Sequence, residues 1–262
     1  MPELMYGLNS VLIAVILLGT MLIGIELGTR AGMAAKRNVD EAGRSQVNSI
    51  QASLLGVLAL LLGFTFSLAL QRYDARSNAV VEEANAIGTA YLRAQLLPES
   101  VRDDSLALFR DYVDSRLRTS AVSLDQVQER AELVAESNRI ANELWRLAVL
   151  AAEERPGATL NLYLQSLNET IDAFSARDAV LDRHVPEIVL MLLYLTFVLT
   201  GVLVGYASGI TGHRTSFATY ILIVLIVMLV FIIIDLDRPR RGLIEVSQQN
   251  MLDLQASMVE RP

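Results

Sequence analysis

Cysteine is absent from the 262-residue chain, which excludes disulfide bonds, cysteine-based zinc sites and thiol catalysis. Charged residues are also scarce, at 19%, whereas hydrophobic residues make up 53% of the chain. The net charge is −7, so the basic surface that nucleic acid binding requires is not expected. This composition argues against nucleic acid as a partner and is typical of a membrane protein rather than of a soluble domain.

Signatures of catalysis are missing as well. The two histidines, His184 and His213, stand alone, with no second ligand at a spacing that suits a metal ion. The sequence contains no nucleophile elbow, no phosphate-binding glycine loop and no dinucleotide fingerprint. We therefore expect no catalytic residues, no metal site and no cofactor, and we do not expect an enzyme.

Four long windows without charged residues set the architecture, since each is long enough to cross about 30 Å of hydrocarbon as a helix. They cover residues 4–25, 45–71, 188–212 and 215–234. The segment GTRAGMAAKR, which begins at Gly28 after the first window, is interpreted as a flexible hairpin loop. In the third window Gly201, Gly205 and Gly209 form a ridge of small residues, which predicts tight helix packing in the membrane.

The segment between the second and third windows has the pattern of soluble helices. Residues 71–185 contain 13 Arg and 19 acidic residues, and their apolar positions recur at spacings of three and four. The stripe on the helix that leaves the second window consists of Tyr73, Ser77, Val80, Ala84, Ile87, Tyr91 and Ala94. The sequence therefore predicts an all-α protein with four transmembrane helices in two pairs and a soluble helical bundle between the pairs.

The domain organisation follows from these boundaries. Residues 1–71 are expected to hold transmembrane helices 1 and 2, and residues 72–185 the soluble helical bundle. Residues 186–236 are expected to hold transmembrane helices 3 and 4, and residues 237–262 a C-terminal tail. Arginine and lysine are spread too evenly over the ends of the four windows to assign the side of the membrane on which the bundle lies.

The run LGFTFSLALQRYD, residues 62–74, changes from membrane-like to charged with no glycine or proline at the point of change, between Leu68 and Arg72. It resembles the second span of bestrophin channels, which continues unbroken into the soluble part of those proteins. The matching residues are Leu62, Gly63, Phe64, Leu68 and Arg72, whereas Ser67 stands for Thr, and Tyr73 and Asp74 replace two Trp. The order of two spans, a helical insert and two spans is also similar. The segments VVEEANAIGTAYLRAQLLPE and DRPRRGLIEVS resemble a group of bacterial bestrophin-like membrane proteins.

This resemblance implies a homopentameric ion channel whose second span lines the pore, and we expect it in the inner membrane of a bacterium. The hydrophobic neck of the family, carried over by position, falls on Phe64 and Leu60. Its third position falls on Gly56, a departure that would leave the neck wider or shorter there. The acidic run that binds calcium in animal bestrophins is absent, so calcium gating is not expected.

The residues of the second span are compatible with a pore neck. Leu60, Phe64 and Leu68 lie on one helix face, and around a symmetry axis they would form stacked apolar rings able to dewet a narrow pore. The same face would equally suit packing against lipid or a neighbouring helix. Arg72 is predicted to form a ring at the mouth of the pore, or else to mark the membrane interface by snorkelling.

Glu82, Glu83 and Asn85 form the densest polar group on the first soluble helix. They are candidates for an ion-attracting ring on the wall of a vestibule, and a solvated helix face is the alternative. The family favours anions, whereas the net acidic insert favours cations, so the expected ion is chloride or a monovalent cation.

The function expected from the sequence is an oligomeric ion channel. Its partners would be membrane lipids, further copies of the chain and inorganic ions. Since no Asp, Glu, Lys or Arg lies near the middle of any window, coupled transport is disfavoured. The alternative function is that of a membrane-tethered sensor or scaffold whose helical bundle binds a ligand or partner.

Overall fold

In a computed structural model of the chain, the described residues are 9–123, 126–181, 185–213, 216–238 and 243–260. Within these ranges the chain forms eight α-helices and no strand. The helices are α1 (Ser10–Ala35), α2 (Glu41–Ala94), α3 (Glu99–Ala121), α4 (Val127–Glu154), α5 (Ala158–Leu181), α6 (Glu187–Thr211), α7 (Phe217–Asp237) and α8 (Gln249–Glu260). The predicted all-α fold is confirmed. His184, one of the two isolated histidines, lies outside the described residues.

Four of the helices, α1, α2, α6 and α7, are long and apolar enough to cross a membrane. They correspond to the four windows predicted from the sequence. The chain divides into two compact units. The membrane unit comprises residues 1–71 and 184–238, and the helical unit comprises residues 72–183 and 239–262.

Helix α1 extends beyond the first apolar window, and the interpretation of GTRAGMAAKR as a hairpin loop is wrong for most of its length. The helix ends only at Ala35. Arg30 Nε lies 2.7 Å from Glu26 Oε1, one turn earlier on the exposed side of the helix. Gly28 and Gly32 are buried against α6 rather than placed in a turn. The segment is helical because it packs against α6, and the polarity of its residues does not indicate this packing.

The tight packing predicted from the glycine ridge of α6 is confirmed, because the ridge lies directly on the backbone of α1. A Cβ at Gly201 would lie 3.1 Å from the carbonyl oxygen of Met21. A Cβ at Gly205 or Gly209 would overlap the carbonyl oxygen of Ile25 or Thr29, respectively. The residue numbers of the three contacts increase together along both helices, so α1 and α6 run in the same direction. Only glycine allows the two backbones to approach this closely.

We expect Gly205→Ala to destabilise the membrane unit by about 1–3 kcal/mol, because the new methyl group must push the α1 backbone away. Thermal unfolding of the purified protein in detergent, followed by circular dichroism, measures the effect. The matched control is Gly19→Ala in α1, where an added Cβ meets nothing within 4 Å. Equal unfolding temperatures for the two variants would contradict the proposed close contact.

The helical unit has a hydrophobic core to which α2, α3, α4, α5 and α8 all contribute. The predicted stripe of α2 is confirmed from Val80 onward, since Val80, Ala84, Ile87, Tyr91 and Ala94 are all buried. Tyr73 and Ser77, at its start, are half-buried. Amphipathic helices of this kind are stabilised mainly by packing their apolar faces together.

The C-terminal segment takes part in the same core. Met251 and Met258 of α8 are both buried in it. The Tyr91 hydroxyl donates a hydrogen bond of 3.3 Å to the carbonyl oxygen of Met258, and Arg110 Nε donates to the same oxygen at 3.3 Å. Residues 249–260 thus form a structural part of the helical unit.

Candidate functional site

Helix α2 carries most of the residues singled out from the sequence. It is 54 residues long, about 80 Å at 1.5 Å per residue, and it has residues in both units. The absence of any break after residue 71 confirms the continuous helix predicted from LGFTFSLALQRYD.

Within the membrane unit, α2 buries a single face. That face consists of Leu58, Leu62, Thr65 and Ala69, spaced by four, three and four residues. The Thr65 hydroxyl donates to the carbonyl oxygen of Leu61 at 2.6 Å, so this buried polar group is satisfied within its own helix. The opposite side of the helix is therefore left to other partners.

The three candidate neck residues lie away from the buried face. Leu60 is 59% exposed, Phe64 62% and Leu68 43% in the single chain. Their spacing of four places them along one side of α2, so they form a continuous apolar surface. Gly56, one turn before Leu60, also has open space around its Cα. This arrangement leaves the candidate neck free to meet lipid, another copy of the chain, or water.

The candidate mouth and vestibule residues belong to the part of α2 in the helical unit. Arg72 is half-buried, whereas Glu82 and Asn85 are exposed. Five exposed polar residues follow one another at spacings of four, four, three and four, which keeps them on one face of the helix. They are Asp74, Asn78, Glu82, Asn85 and Thr89. The only formal charges among these five residues are negative.

Glu83 lies inside the helical unit, which differs from the vestibule surface expected for it. Its exposed fraction is 0%. Arg116 Nε donates to Glu83 Oε1 at 2.5 Å, and Arg116 Nη2 donates to Glu83 Oε2 at 3.3 Å. Arg177 Nη1 donates to Glu83 Oε2 as well. Both oxygens of this carboxylate are thus occupied by arginines of α3 and α5, and Glu83 has no surface left to offer to ions.

Aromatic and amide groups contact the charged side chains of Glu83, Arg116 and Arg177. The guanidinium carbon of Arg116 lies 4.4 Å from the centre of the Phe174 ring, a distance that suits a cation–π contact. Arg177 Nη2 donates to Gln248 Oε1 at 2.6 Å, which connects α5 to the segment before α8. Burial raises the pKa of Tyr112 well above its usual value, and the negative charge of Glu83 acts in the same direction. We refer to Glu83, Arg116 and Arg177 as the buried charge cluster.

The arginines of this cluster were not singled out by sequence reasoning, although a signal for them exists. Arg177 lies three residues after Phe174 and four before Leu181, so it occupies a position of the apolar stripe of α5. Arg116 lies three residues after Val113 on α3 in the same way. A charged residue in register with an apolar stripe indicates a buried ion pair, because an isolated charge is too costly to bury.

The comparison with known sequences identifies a domain over most of the chain. The sequence profile of the Bestrophin-like domain matches residues 29–251. None of the curated proteins matches the chain in sequence.

Solved structures share the fold. A crystal structure of a bacterial bestrophin homologue from Klebsiella pneumoniae, with one tyrosine replaced by alanine, has a TM-score of 0.67 at 15% identity and covers 92% of this chain and 98% of its own. A second structure of that homologue, with an aspartate replaced by alanine, has a TM-score of 0.67 at 14% identity, with 92% and 97% covered. A crystal structure of a membrane protein with a leucine replaced by alanine has a TM-score of 0.66 at 13% identity, with the same coverage. At these identities the likeness establishes the fold.

Proposed function

The chain belongs to the bestrophin-like family, and we propose that it forms an oligomeric ion channel, a homopentamer whose pore is lined by α2. Membership of this family supports an ion channel in general. The pentamer, the pore-lining helix and the apolar neck are the finer parts of the proposal. We further propose the inner membrane of a bacterium as its location.

The observation that carries the proposal is the exposed apolar face of α2. Leu60, Phe64 and Leu68 are turned away from the buried face of their own chain. Five copies around an axis would stack these side chains into three apolar rings, one helical turn apart. A narrow ring of this kind expels water and closes the pore to ions until it widens. Gly56 would leave the ring position next to Leu60 open.

The approach to the neck would be provided by the polar face of α2. Arg72 is proposed at the mouth, and Glu82 and Asn85 on the vestibule wall. Glu83 is excluded from that wall because its carboxylate is buried. Asp74 and Glu82 of the exposed row carry two negative charges per chain against the one positive charge of Arg72, so a monovalent cation is favoured over chloride as the ion.

Further copies of the chain are the proposed partners, together with membrane lipids. Helix α4 carries exposed apolar side chains outside the membrane unit, and Trp145, Val149 and Leu150 lie close together among them. A second copy would cover such a surface in a stable assembly.

The test of this proposal combines the mass of the purified protein with ion flux. Light scattering in detergent should give a single species of about five chains, and vesicles that contain the protein should pass ions across a salt gradient. Flux through empty vesicles prepared in parallel is the control. A uniform monomer or dimer would contradict the proposal. An oligomer without flux would support the alternative of a sensor or scaffold.

A further inference from the structure

An open groove of about 570 Å³ lies on the membrane unit, between α1, α2 and α6. Leu27 and Ala31 of α1 line it, together with Leu54 of α2 and Leu199 of α6. Among the described residues of its lining, only Tyr206 carries a polar side-chain atom. Leu27 is 58% exposed and Leu199 52%, so the groove opens at the surface of the unit. On a unit that spans a membrane, an open apolar groove faces the hydrocarbon chains of lipids.

The wall that α2 contributes to the groove leads along the helix to a charged residue. Arg44, Val47, Gln51, Leu54 and Leu58 follow one another at spacings of three and four, so they share one face of α2. Leu58 is buried and the other four are half-buried, so this face is turned toward the rest of the membrane unit. Arg44 precedes Leu54 by ten residues, which is about 15 Å along the helix axis. That distance matches the depth of one leaflet, since the whole hydrocarbon core is about 30 Å thick.

Arg44 has hydrogen-bonding capacity that its own chain leaves unused. Its Nε is buried and has no hydrogen-bond acceptor in the part of the chain that the structure describes. Asp40 lies one turn earlier, but its Oδ1 accepts the backbone N–H of Gly43 at 2.9 Å, and Glu41 is exposed. A buried N–H group without an acceptor is costly, and a phosphate oxygen is an acceptor that suits arginine well.

The charge of the connection between α1 and α2 indicates the class of lipid. Residues 36–44 contain three basic and two acidic residues, so their net charge is +1. Arg30 adds nothing to this excess, because its Nε lies 2.7 Å from Glu26 Oε1. A lipid with a single negative charge would balance the segment, and basic residues beside a membrane attract anionic lipids.

We propose that this groove binds an anionic phospholipid, with an acyl chain against Leu54 and the phosphate at Arg44. The Tyr206 hydroxyl, five residues before the end of α6, is available to donate to an ester oxygen of the same lipid. Tyrosine is common at this level of a span, between the hydrocarbon and the head groups. The bound lipid would hold α2 against α1 and α6. This site is separate from the general contact of the four spans with lipid, and it does not depend on ion conduction.

Native mass spectrometry of the purified full-length protein, incubated with phosphatidylglycerol in detergent, tests this proposal. It counts the lipids bound per chain and gives the mass of the assembly at the same time. We expect saturable retention of one phosphatidylglycerol per chain, and weaker retention of phosphatidylcholine, whose head group has no net charge. Arg44→Gln should weaken phosphatidylglycerol binding at least about fivefold, the effect of one arginine near anionic lipid. The control is Arg139→Gln, an exposed arginine of the helical unit, which should leave binding unchanged.

A second variant tests the groove without changing any charge. Ala31 is an exposed residue of the groove, so Ala31→Phe should fill part of it and lower the retention of phosphatidylglycerol. The matched control is Ala218→Phe, the same change at an exposed position of α7 outside the groove. This pair decides the question if Arg44→Gln does not fold.

Three results would overturn the proposal. The first is retention of phosphatidylglycerol that does not saturate or that phosphatidylcholine equals. The second is unchanged retention in a folded Arg44→Gln or Ala31→Phe. The third is a smaller assembly of Ala31→Phe with unchanged lipid retention, which would assign the groove to a second copy of the chain. Because lipid retention is measured without ion flux, its failure would leave the proposed channel unaffected.

Discussion

Replacing Phe64 with alanine is expected to increase the resting ion conductance of the reconstituted protein at least about tenfold. Phe64 is the bulkiest of the three candidate neck residues and is 62% exposed in the single chain. Its removal would widen one apolar ring and allow water to enter a pore that is otherwise dewetted. A tenfold rise corresponds to a barrier lowered by about 1.4 kcal/mol. This is a small change for the loss of one phenyl group from every copy in the proposed pentamer.

Planar bilayer recording or flux into vesicles measures this effect, with the same amount of assembled protein for each variant. The control is Leu195→Ala in α6, which shortens an apolar side chain that is likewise exposed in a span. We expect that control to conduct as the unchanged protein does. If Phe64→Ala assembles normally and its conductance does not change, then α2 does not provide the neck at this position.

Replacing Glu83 with glutamine is expected to destabilise the helical unit by about 3–5 kcal/mol. The change removes the carboxylate on which Arg116 and Arg177 converge, and it leaves two buried guanidinium groups without their counter-charge. Breaking a buried ion pair in this way costs more than deleting both partners, because the remaining charge stays desolvated. Trp145 is the only tryptophan and belongs to the same unit, so its fluorescence follows unfolding by denaturant.

The adjacent residue provides a matched control for this measurement. Glu82 is exposed on the same helix, and Glu82→Gln carries the same chemical change one position earlier. A surface substitution of this kind is expected to alter the free energy of unfolding by no more than about 0.5 kcal/mol. Similar losses of stability for both variants would mean that the buried charge cluster does not hold the unit together.

The helices could be predicted from the sequence because their periodicity and their long apolar windows are local signals. The end of α1 could not be predicted in the same way. Hydropathy indicates where the lipid ends, and it does not indicate where a helix ends. Arg30 and Glu26 allow the helix to continue with a charged exposed side, and Gly28 and Gly32 are needed for contact with α6. We therefore interpreted Gly28 and Gly32 as signs of a loop, whereas they are required for the close packing of α1 against α6.

The different environments of Glu82 and Glu83 were also not predicted from the sequence. Glu83 precedes Ala84 on the buried side of α2, so its position in the apolar stripe was the available sign. Its partners come from α3 and α5, 33 and 94 residues further along the chain. Such pairing depends on how helices pack in three dimensions, which the pattern of one helix does not contain. The exposure of Leu60, Phe64 and Leu68 agrees with their predicted shared face, and their place at a pore stays a prediction.

Chemical modification of a single engineered cysteine at position 64 shows whether α2 lines the pore, since the natural chain has no cysteine. The protein with Phe64→Cys is reconstituted, treated with a charged, water-soluble thiol reagent, and its ion flux is compared before and after treatment. We expect the reagent to react and the flux to change sharply, whereas Leu195→Cys in α6 should give no change. A side chain at position 64 that stays unmodified in conducting protein, or a complete modification that leaves the flux as it was, would contradict a pore that α2 lines at this position.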